Sequence, residues 1–329
     1  MKGLFFRTTG SLDNLKVEEL PMPVPGAGMV LVQVHAAAIN PSDAKSVLGK
    51  MAETTTPRVP GRDFAGRVVS GGFPWEGKAV FGTGGDIGFG RNGSHAEFVA
   101  VPVEGLVEMP PDLSYEQATA IALGYFTAYA AIVRTGAVKR GETVLITGTT
   151  GSVGSAAARV AAWKGARVLG TVRSSRNLGK RDDLAMVEWI DLESRPLPES
   201  VQELTGGKGA DLILDAVGGP LFEPCLESLA PRGRQIAVAS AGNPQVTFNL
   251  VDFYHKEACL KGVDTLKLSP GEAAEILTAL LPGFKAGIFS PPTVEAVSLD
   301  DAGRAYRAVI EGSSGKKFVI RFESGRGTE

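Results

Sequence analysis

Two stretches of this chain place groups where they could do chemistry. The first, Ile39-Asn40-Pro41-Ser42-Asp43, sets an amide, a hydroxyl and a carboxylate directly behind an apolar run. The Asn40 amide could donate to a carbonyl oxygen or hold a ribose, and Asp43 could relay a proton. Both also have ordinary readings: an Asx-type turn before Pro41 for Asn40, and a helix N-terminal carboxylate for Asp43. The second stretch, "VLITGTTGSVGSAAARVAAWKGARVLGTV", holds Gly148, Gly151 and Gly154 at G-x-x-G-x-x-G spacing. The commoner G-x-G-x-x-G is not met, because Thr149 stands at its first position. Gly151 lets backbone approach a phosphate, and Gly154 lets the helix lie close to its strand. Free N–H groups at a helix start, together with the helix dipole, favour a pyrophosphate. Gly148, Thr149, Thr150, Gly151, Ser152, Val153 and Gly154 are therefore expected to cradle a dinucleotide.

The next strand chooses the dinucleotide. A chain reading NAD usually ends this strand with an acid that binds the ribose 2′-hydroxyl. Here it ends "GTVRSSRN", with no acid. Arg173 and Arg176 would attract a 2′-phosphate, and Ser174 and Ser175 could donate hydrogen bonds to it. The cofactor expected is NADP(H), with a solvated basic turn as the plain alternative.

These groups need elements to position them. Residues 1–115 read as short strands punctuated by Gly and Pro, such as "VLVQVHAAAI", where Val30, Val32 and Val34 alternate as in a half-buried strand. At Pro110-Pro111 the texture changes, and "LSYEQATAIALGYFTAY" has a Ser N-cap, Glu116 and Gln117 in its first turn and helical apolar spacing. From Gly141 continuous apolar strands alternate with helices ("TVLIT", "ARVLGTV", "ADLILD", "RQIAVAS", "ACLKGVDTL"), which means a parallel sheet covered on both faces. After about Thr265 come "PGEAAEILTALLPGF", a helix with Leu299, Ala302, Tyr306 and Val309 on one face, and the final strand "KKFVIRF". The fold class expected is α/β: a doubly wound parallel sheet plus a β-rich domain. The boundaries are 1–115, 116–265 and 266–329, the last returning to the β-rich domain.

Composition bounds the rest. The chain has 329 residues, 43% hydrophobic and 21% charged, and a net charge of −2. It has no basic block, so phosphate neutralisation on a nucleic acid is not expected. Nor is there a long apolar span or a charged-then-apolar leader, and a cytoplasmic protein without membrane partners is expected. Cys225 and Cys259 lack metal or redox spacing, and His35, His95 and His255 are scattered singly, so no metal site is expected.

Several stretches in order ("INPSD", "VPGRDFAG", "GSHAEFV", "ALGYFTAY", "TGTTGSVGSAAARVA", "DLILDAVGG" and "GKKFVIRF") together resemble the zinc-independent medium-chain dehydrogenase/reductases, the quinone oxidoreductase-like (zeta-crystallin-like) group. The resemblance covers nearly the whole chain. It implies a GroES-like domain around a Rossmann domain, with an active site in the cleft between them. Zinc relatives place a Cys where Asn40 stands and a His where Arg62 stands, and their four structural cysteines have no counterpart here. Hydride transfer without a metal suits acceptors that delocalise charge themselves, namely quinones and α,β-unsaturated carbonyl compounds. The alternatives are an enoyl-thioester reductase and a low-turnover NADPH-binding protein with a structural or sensory role.

The resemblance also carries site residues. Asn40 would lie beside the nicotinamide, and Thr127 near its phosphate. Val217, Gly218, Ser240, Ala241 and Gly242 would approach the cofactor from strand ends, and the backbone from Val263 to Thr265 would meet the carboxamide. Relatives often carry a Tyr near position 51 or 52. Met51 stands here instead, as apolar lining for a small-molecule substrate or as loop packing. Tyr125 offers a substitute hydroxyl, though aromatics on such a helix are more often core. His95 reads as a satisfied core histidine rather than a base. A homodimer is expected through the last Rossmann strand, whose open edge needs covering.

Overall fold

The structure is a computed structural model that describes residues 1–177, 182–240, 242, 244–312 and 315–323. The chain divides into two compact units. One comprises Met1–Leu123, Thr265–Leu281 and the described residues from Pro291 on; the other comprises Gly124–Asp264 and Pro282–Ser290.

The first unit opens with a hairpin-like pair, β1 (Lys2–Phe5) and β2 (Lys16–Glu19). Its main sheet contains β3 (Met29–Ala38), β4 (Phe64–Ser70), β5 (Ala79–Gly82), β6 (Phe98–Pro102) and β7 (Val107–Glu108). β3 is the spine. It pairs antiparallel with β4 and β6, and Val30, Val32 and Val34 face inward as their alternation requires. The polar stretch after β3 is a helix start rather than a bare turn: α1 (Pro41–Val47) has Pro41 at its first turn, where a missing N–H costs nothing. α2 (Tyr115–Tyr129) begins as its sequence signals. Ser114 Oγ accepts from the Gln117 N–H (3.2 Å) and Gln117 Oε1 from the Ser114 N–H (3.0 Å), a reciprocal cap.

The second unit is a six-stranded parallel sheet built from β8 (Thr143–Ile146), β9 (Arg167–Val172), β10 (Val187–Asp191), β11 (Ala210–Asp215), β12 (Leu229–Ala237) and β13 (Cys259–Gly262). The order β10-β9-β8-β11-β12-β13 is the doubly wound Rossmann order, with its switch point between β8 and β11. α3 (Ser152–Trp163), α4 (Leu197–Leu204), α5 (Phe222–Glu227) and α6 (Leu250–His255) connect these strands. The strand read from Arg234 starts earlier, at Leu229. Arg232 takes a positive φ of 60° and the register with β11 shifts, so the extra residues bulge instead of ending the strand.

α7 (Pro270–Lys285) follows, then β14 (Val294–Val297), α8 (Ala302–Glu311) and β15 (Lys317–Arg321). β15 runs antiparallel to β3 and parallel to β14, which extends the first unit's sheet to seven strands. Phe318, Ile320 and Tyr306 join Phe6, Val30, Val32 and Phe64 in that unit's core. Leu145, Leu169, Ile190, Ile213, Phe222 and Leu226 form the core of the other.

Candidate functional site

In the second unit, the chain leaves β8 at the switch point and turns through Thr147–Gly151 into α3. Gly148 takes φ +61°, and a Cβ on it would sit 3.1 Å from Val217. Gly154 has no room at all: a Cβ there would meet the Gly148 carbonyl oxygen at 2.3 Å and the Thr149 Cα at 2.7 Å. The turn is thus pressed onto the first turn of its own helix. Thr149 is buried and its hydroxyl donates to the Ile146 carbonyl (2.7 Å), while Thr150, Gly151 and Ser152 are exposed. Gly151 occupies the N-cap with no side-chain cap, so the first helical N–H groups keep their capacity for an anion. A cradle of this form fits a pyrophosphate.

The neighbouring strand end is fixed by a small network. Thr147 Oγ1 donates to Asp215 Oδ1 (2.8 Å) and accepts from the Ala216 N–H (2.9 Å). The same Asp215 oxygen accepts from the N–H groups of Val217 (3.2 Å) and Gly218 (2.8 Å). Asp215 therefore bends the backbone of Val217 and Gly218 at the carboxyl end of β11. Val263 N–H donates to the Ala237 carbonyl (3.0 Å) beside it. Ser240 and Gly242 are exposed at the end of β12, and Ala241 lies outside the described residues.

At the end of β9, Arg173 is exposed and Ser174 is buried. The Ser175 N–H donates to Asp191 Oδ2 (2.9 Å) and the Glu193 N–H to Asp191 Oδ1 (2.9 Å). Asp191 is held below the usual carboxylate range by the Ser175 hydroxyl and by these backbone donors. Arg176 pairs with Glu193 (2.9 Å) and touches Ser174 Oγ at 3.4 Å. Thr127 is buried on α2.

In the first unit, Asn40 is 2% exposed and both ends of its amide are engaged. Nδ2 donates to Asp63 Oδ2 (2.8 Å), and Oδ1 accepts from the Lys317 ammonium. These two partners fix which way the amide faces. Reversing it would set donor against ammonium and acceptor against carboxylate, forfeiting two charge-assisted bonds of about 1.5–3 kcal/mol each. Asp43 Oδ2 accepts the Asn40 backbone N–H (2.8 Å), the returning half of a capping box, and the carboxyl is buried on α1. Burial pushes the Asp43 carboxyl up to about 6, against the pull of the Asn40 N–H, Arg62 and Lys317. Burial also raises Asp63 and lowers Lys317, each opposed by the other's charge.

Arg62 is buried next to this network. Its Nη2 donates to the Thr265 carbonyl (3.3 Å) and its guanidinium lies 5.5 Å from the Phe89 ring centre. His95 is fully buried between Tyr306 and β3: Nε2 lies 3.2 Å from the Ala38 carbonyl and Nδ1 2.7 Å from the Tyr306 hydroxyl. An Nε2–H that donates to Ala38 leaves Nδ1 to accept from Tyr306. Burial holds His95 down to about 4, so it is neutral at pH 7.

Tyr125 belongs to the second unit and sits in an aromatic nest. Its ring is 4.9 Å from Phe284 and 5.2 Å from Phe289, and its hydroxyl donates to the Ser290 carbonyl (3.2 Å). Burial raises the phenol to about 12. Met51 is half-buried after α1. Among the described residues no three His, Cys, Asp or Glu side chains are grouped to hold a metal ion.

Asp63, Lys317, Thr147 and Asp215 do not stand out in the sequence. The signals were faint. Arg62 and Asp63 are an isolated charged pair in "VPGRDFAG", and Lys317 shares its strand face with the buried Val319.

Residues 26–111 match the alcohol dehydrogenase GroES-like domain family, and residues 152–281 match the zinc-binding dehydrogenase family. A zinc-type alcohol dehydrogenase-like protein of Schizosaccharomyces pombe is 33% identical over 314 residues, covering 93% of this chain and 92% of its own. Human quinone oxidoreductase is 27% identical, covering 94% of this chain and 95% of its own. The crystal structure of a Pseudomonas syringae quinone oxidoreductase superposes with a TM-score of 0.87 at 26% identity, over 98% of this chain and 99% of that one.

Proposed function

This chain belongs to the medium-chain dehydrogenase/reductase family, in its quinone oxidoreductase-like group, and from that premise we propose that it is an NADPH-dependent, zinc-independent reductase of quinones or α,β-unsaturated carbonyl compounds. The observation that carries this reading is the state of Asn40 and Arg62. Both are buried and committed to other protein groups, Asn40 to Asp63 and Lys317 and Arg62 to the Thr265 carbonyl. Neither residue type is a zinc ligand. An acceptor that spreads its own developing charge then needs only hydrogen bonding, alignment and exclusion of water from the protein.

NADPH supplies the hydride when bound. The residues that would hold it are the turn Gly148–Gly154, the bent backbone of Val217 and Gly218, and Thr127. The side chains of Arg173 and Arg176, with Ser174 and Ser175, would meet the 2′-phosphate. The absence of an acid at the end of β9 supports NADP(H) over NAD(H). Asn40 would offer its remaining N–H to the substrate oxygen or the cofactor ribose. Met51 would line the substrate. Asp43 is buried, and its raised carboxyl suits storing a proton near neutral pH; Tyr125, with its phenol raised to about 12 and bonded to Ser290, suits that task less.

The test is cofactor oxidation with a panel of a quinone, an enone and an enoyl thioester, using NADPH and NADH, before and after dialysis against a chelator. Turnover of quinone or enone with NADPH, unchanged by the chelator, is expected. Preference for the enoyl thioester would move the substrate class, and preference for NADH would overturn the cofactor. Tight NADPH binding without turnover on any of the three would make this a nucleotide-binding protein instead.

We propose a homodimer through β13. That edge strand is exposed, with Leu260 at 39%, and Leu250, Val251 and Tyr254 of the preceding helix α6 are exposed as well. Light scattering should give twice the chain mass. A cytoplasmic location is proposed with it: Cys259 is a free exposed thiol, which fits a reducing compartment. No helix among the described residues is long and apolar enough to cross a membrane.

A further inference from the structure

Three residues far apart in the chain converge on one amide. Lys317 arrives on β15, Asp63 immediately before β4, and Asn40 between β3 and α1. Lys317 is 8% exposed although its neighbour Lys316 is exposed. Nothing in strand formation requires a lysine there, since the β3–β15 pairing uses main-chain groups alone. A buried ammonium is costly unless it has a specific partner. Its ammonium donates to Asn40 Oδ1, and Asn40 Nδ2 in turn donates to Asp63 Oδ2. The pair is therefore bridged by a neutral amide rather than closed on itself.

We propose that Lys317 and Asp63 are positioning residues that lock the Asn40 amide with its carbonyl toward the ammonium and its NH2 toward the carboxylate, so that only one N–H is left to offer. The amide then works as a hydrogen-bond donor and never as an acceptor. A donor held in that way serves a substrate oxygen that gains negative charge, such as that of a quinone or enone. It gives no help to a group that must itself be deprotonated. The role rests on the reading of Asn40 as a group that contacts substrate or cofactor. Asp43 strengthens the arrangement from below, because its carboxylate fixes the Asn40 main chain while the other two groups fix its side chain.

The experiment is a double-mutant cycle on quinone reduction. Lys317→Met is expected to lower kcat at least tenfold with KM for NADPH within twofold, Lys317→Arg to recover most of the rate, and Lys316→Met to change nothing. In an Asn40→Ala background Lys317→Met is expected to cost nothing further. An equal cost with and without the Asn40 amide overturns the proposal, because Lys317 would then act elsewhere. Wild-type kcat in Asn40→Ala alone overturns the functional reading of Asn40 and the proposal with it, whereas a slow Asn40→Ala beside a fully active Lys317→Met overturns the proposal alone. A readout free of turnover runs in parallel. The Asn40 side-chain NH2 resonances, identified by their loss in Asn40→Ala, should shift in Lys317→Gln and Asp63→Asn and stay put in Lys316→Met. Unshifted resonances in both variants overturn the locked amide, even where Lys317→Met fails to fold.

Discussion

The two units build their polar centres from different materials. In the Rossmann unit the candidate cofactor cradle is main chain: a turn, three glycines and the N–H groups opening α3. In the GroES-like unit the candidate site is side chain: Asn40, Asp43, Asp63 and Lys317, with His95 and Tyr306 behind them, all buried. A main-chain site is sensitive to any atom added and largely indifferent to side-chain chemistry. A side-chain site in a core is sensitive to charge, because each ion must be matched by another.

That contrast can be broken most forcefully at Lys317. Removing its ammonium leaves buried Asp43 and Asp63 short of positive charge, and Lys317→Met should lose about 3–5 kcal/mol in urea unfolding. Adding Asp63→Asn should return part of that loss; a single variant as stable as wild type would show that charge matching is not what holds the cluster.

The next effect is one of pH and has two opposite signs. Asp43 has a folded pKa of about 6 against a usual 3.8, so its contribution is present below about 3.8 and lost as pH rises through about 6. Asp63 is shifted in the same direction. His95 is held down to about 4 against 6.5, so its contribution is present above 6.5 and lost as pH falls through about 4. Each of Asp43 and His95 is worth on the order of 3 kcal/mol over its window. The contributions of Asp43 and His95 should therefore largely cancel between pH 4 and 6, leaving Asp63 to tilt wild-type stability downward as pH rises. Asp43→Asn should gain stability with rising pH more steeply than wild type, and His95→Gln should lose it. Parallel slopes in chemical denaturation of the three proteins would contradict these assignments.

The main-chain site is sharpened by Gly154→Ala. Its Cβ would stand 2.3 Å from the Gly148 oxygen, backbone that cannot swing aside. A cost of about 1–3 kcal/mol is expected, with NADPH affinity reduced about tenfold by fluorescence titration. Arg176→Ala should do least. Its side chain is 85% exposed in its pair with Glu193, so stability should move by no more than about 1 kcal/mol. Any loss should appear in NADPH affinity and not in NADH affinity.

The same contrast decides what was legible in the sequence. The glycine turn could be read because its parts are contiguous: "TGTTGSVG" leaves a strand and opens a helix, and the structure puts that turn between β8 and α3. The cap of α2 at Ser114 and the inward face of β3 were legible for the same reason, since local spacing fixes them. The partners of Asn40 were not. Residues 40, 63 and 317 meet only because β15 returns to pair with β3, and no spacing rule links them. "INPSD" showed that polar groups gather at the end of β3, but not that Asp43 turns back on the main chain while Asn40 points at two charges. The early start of β12 was hidden as well, because Arg232 adopts a backbone conformation that arginine rarely takes.

The proposed division of labour, with substrate chemistry on the Asn40 amide and cofactor binding on the glycine turn, is tested most directly by Asn40→Ala. NADPH affinity and kcat for a quinone should be measured on the same preparation. The expected result is a kcat about 10²-fold lower, the cost of losing one aimed donor, with the dissociation constant for NADPH within twofold of wild type. Wild-type kcat in that variant would contradict the account and return Asn40 to the role of a helix cap.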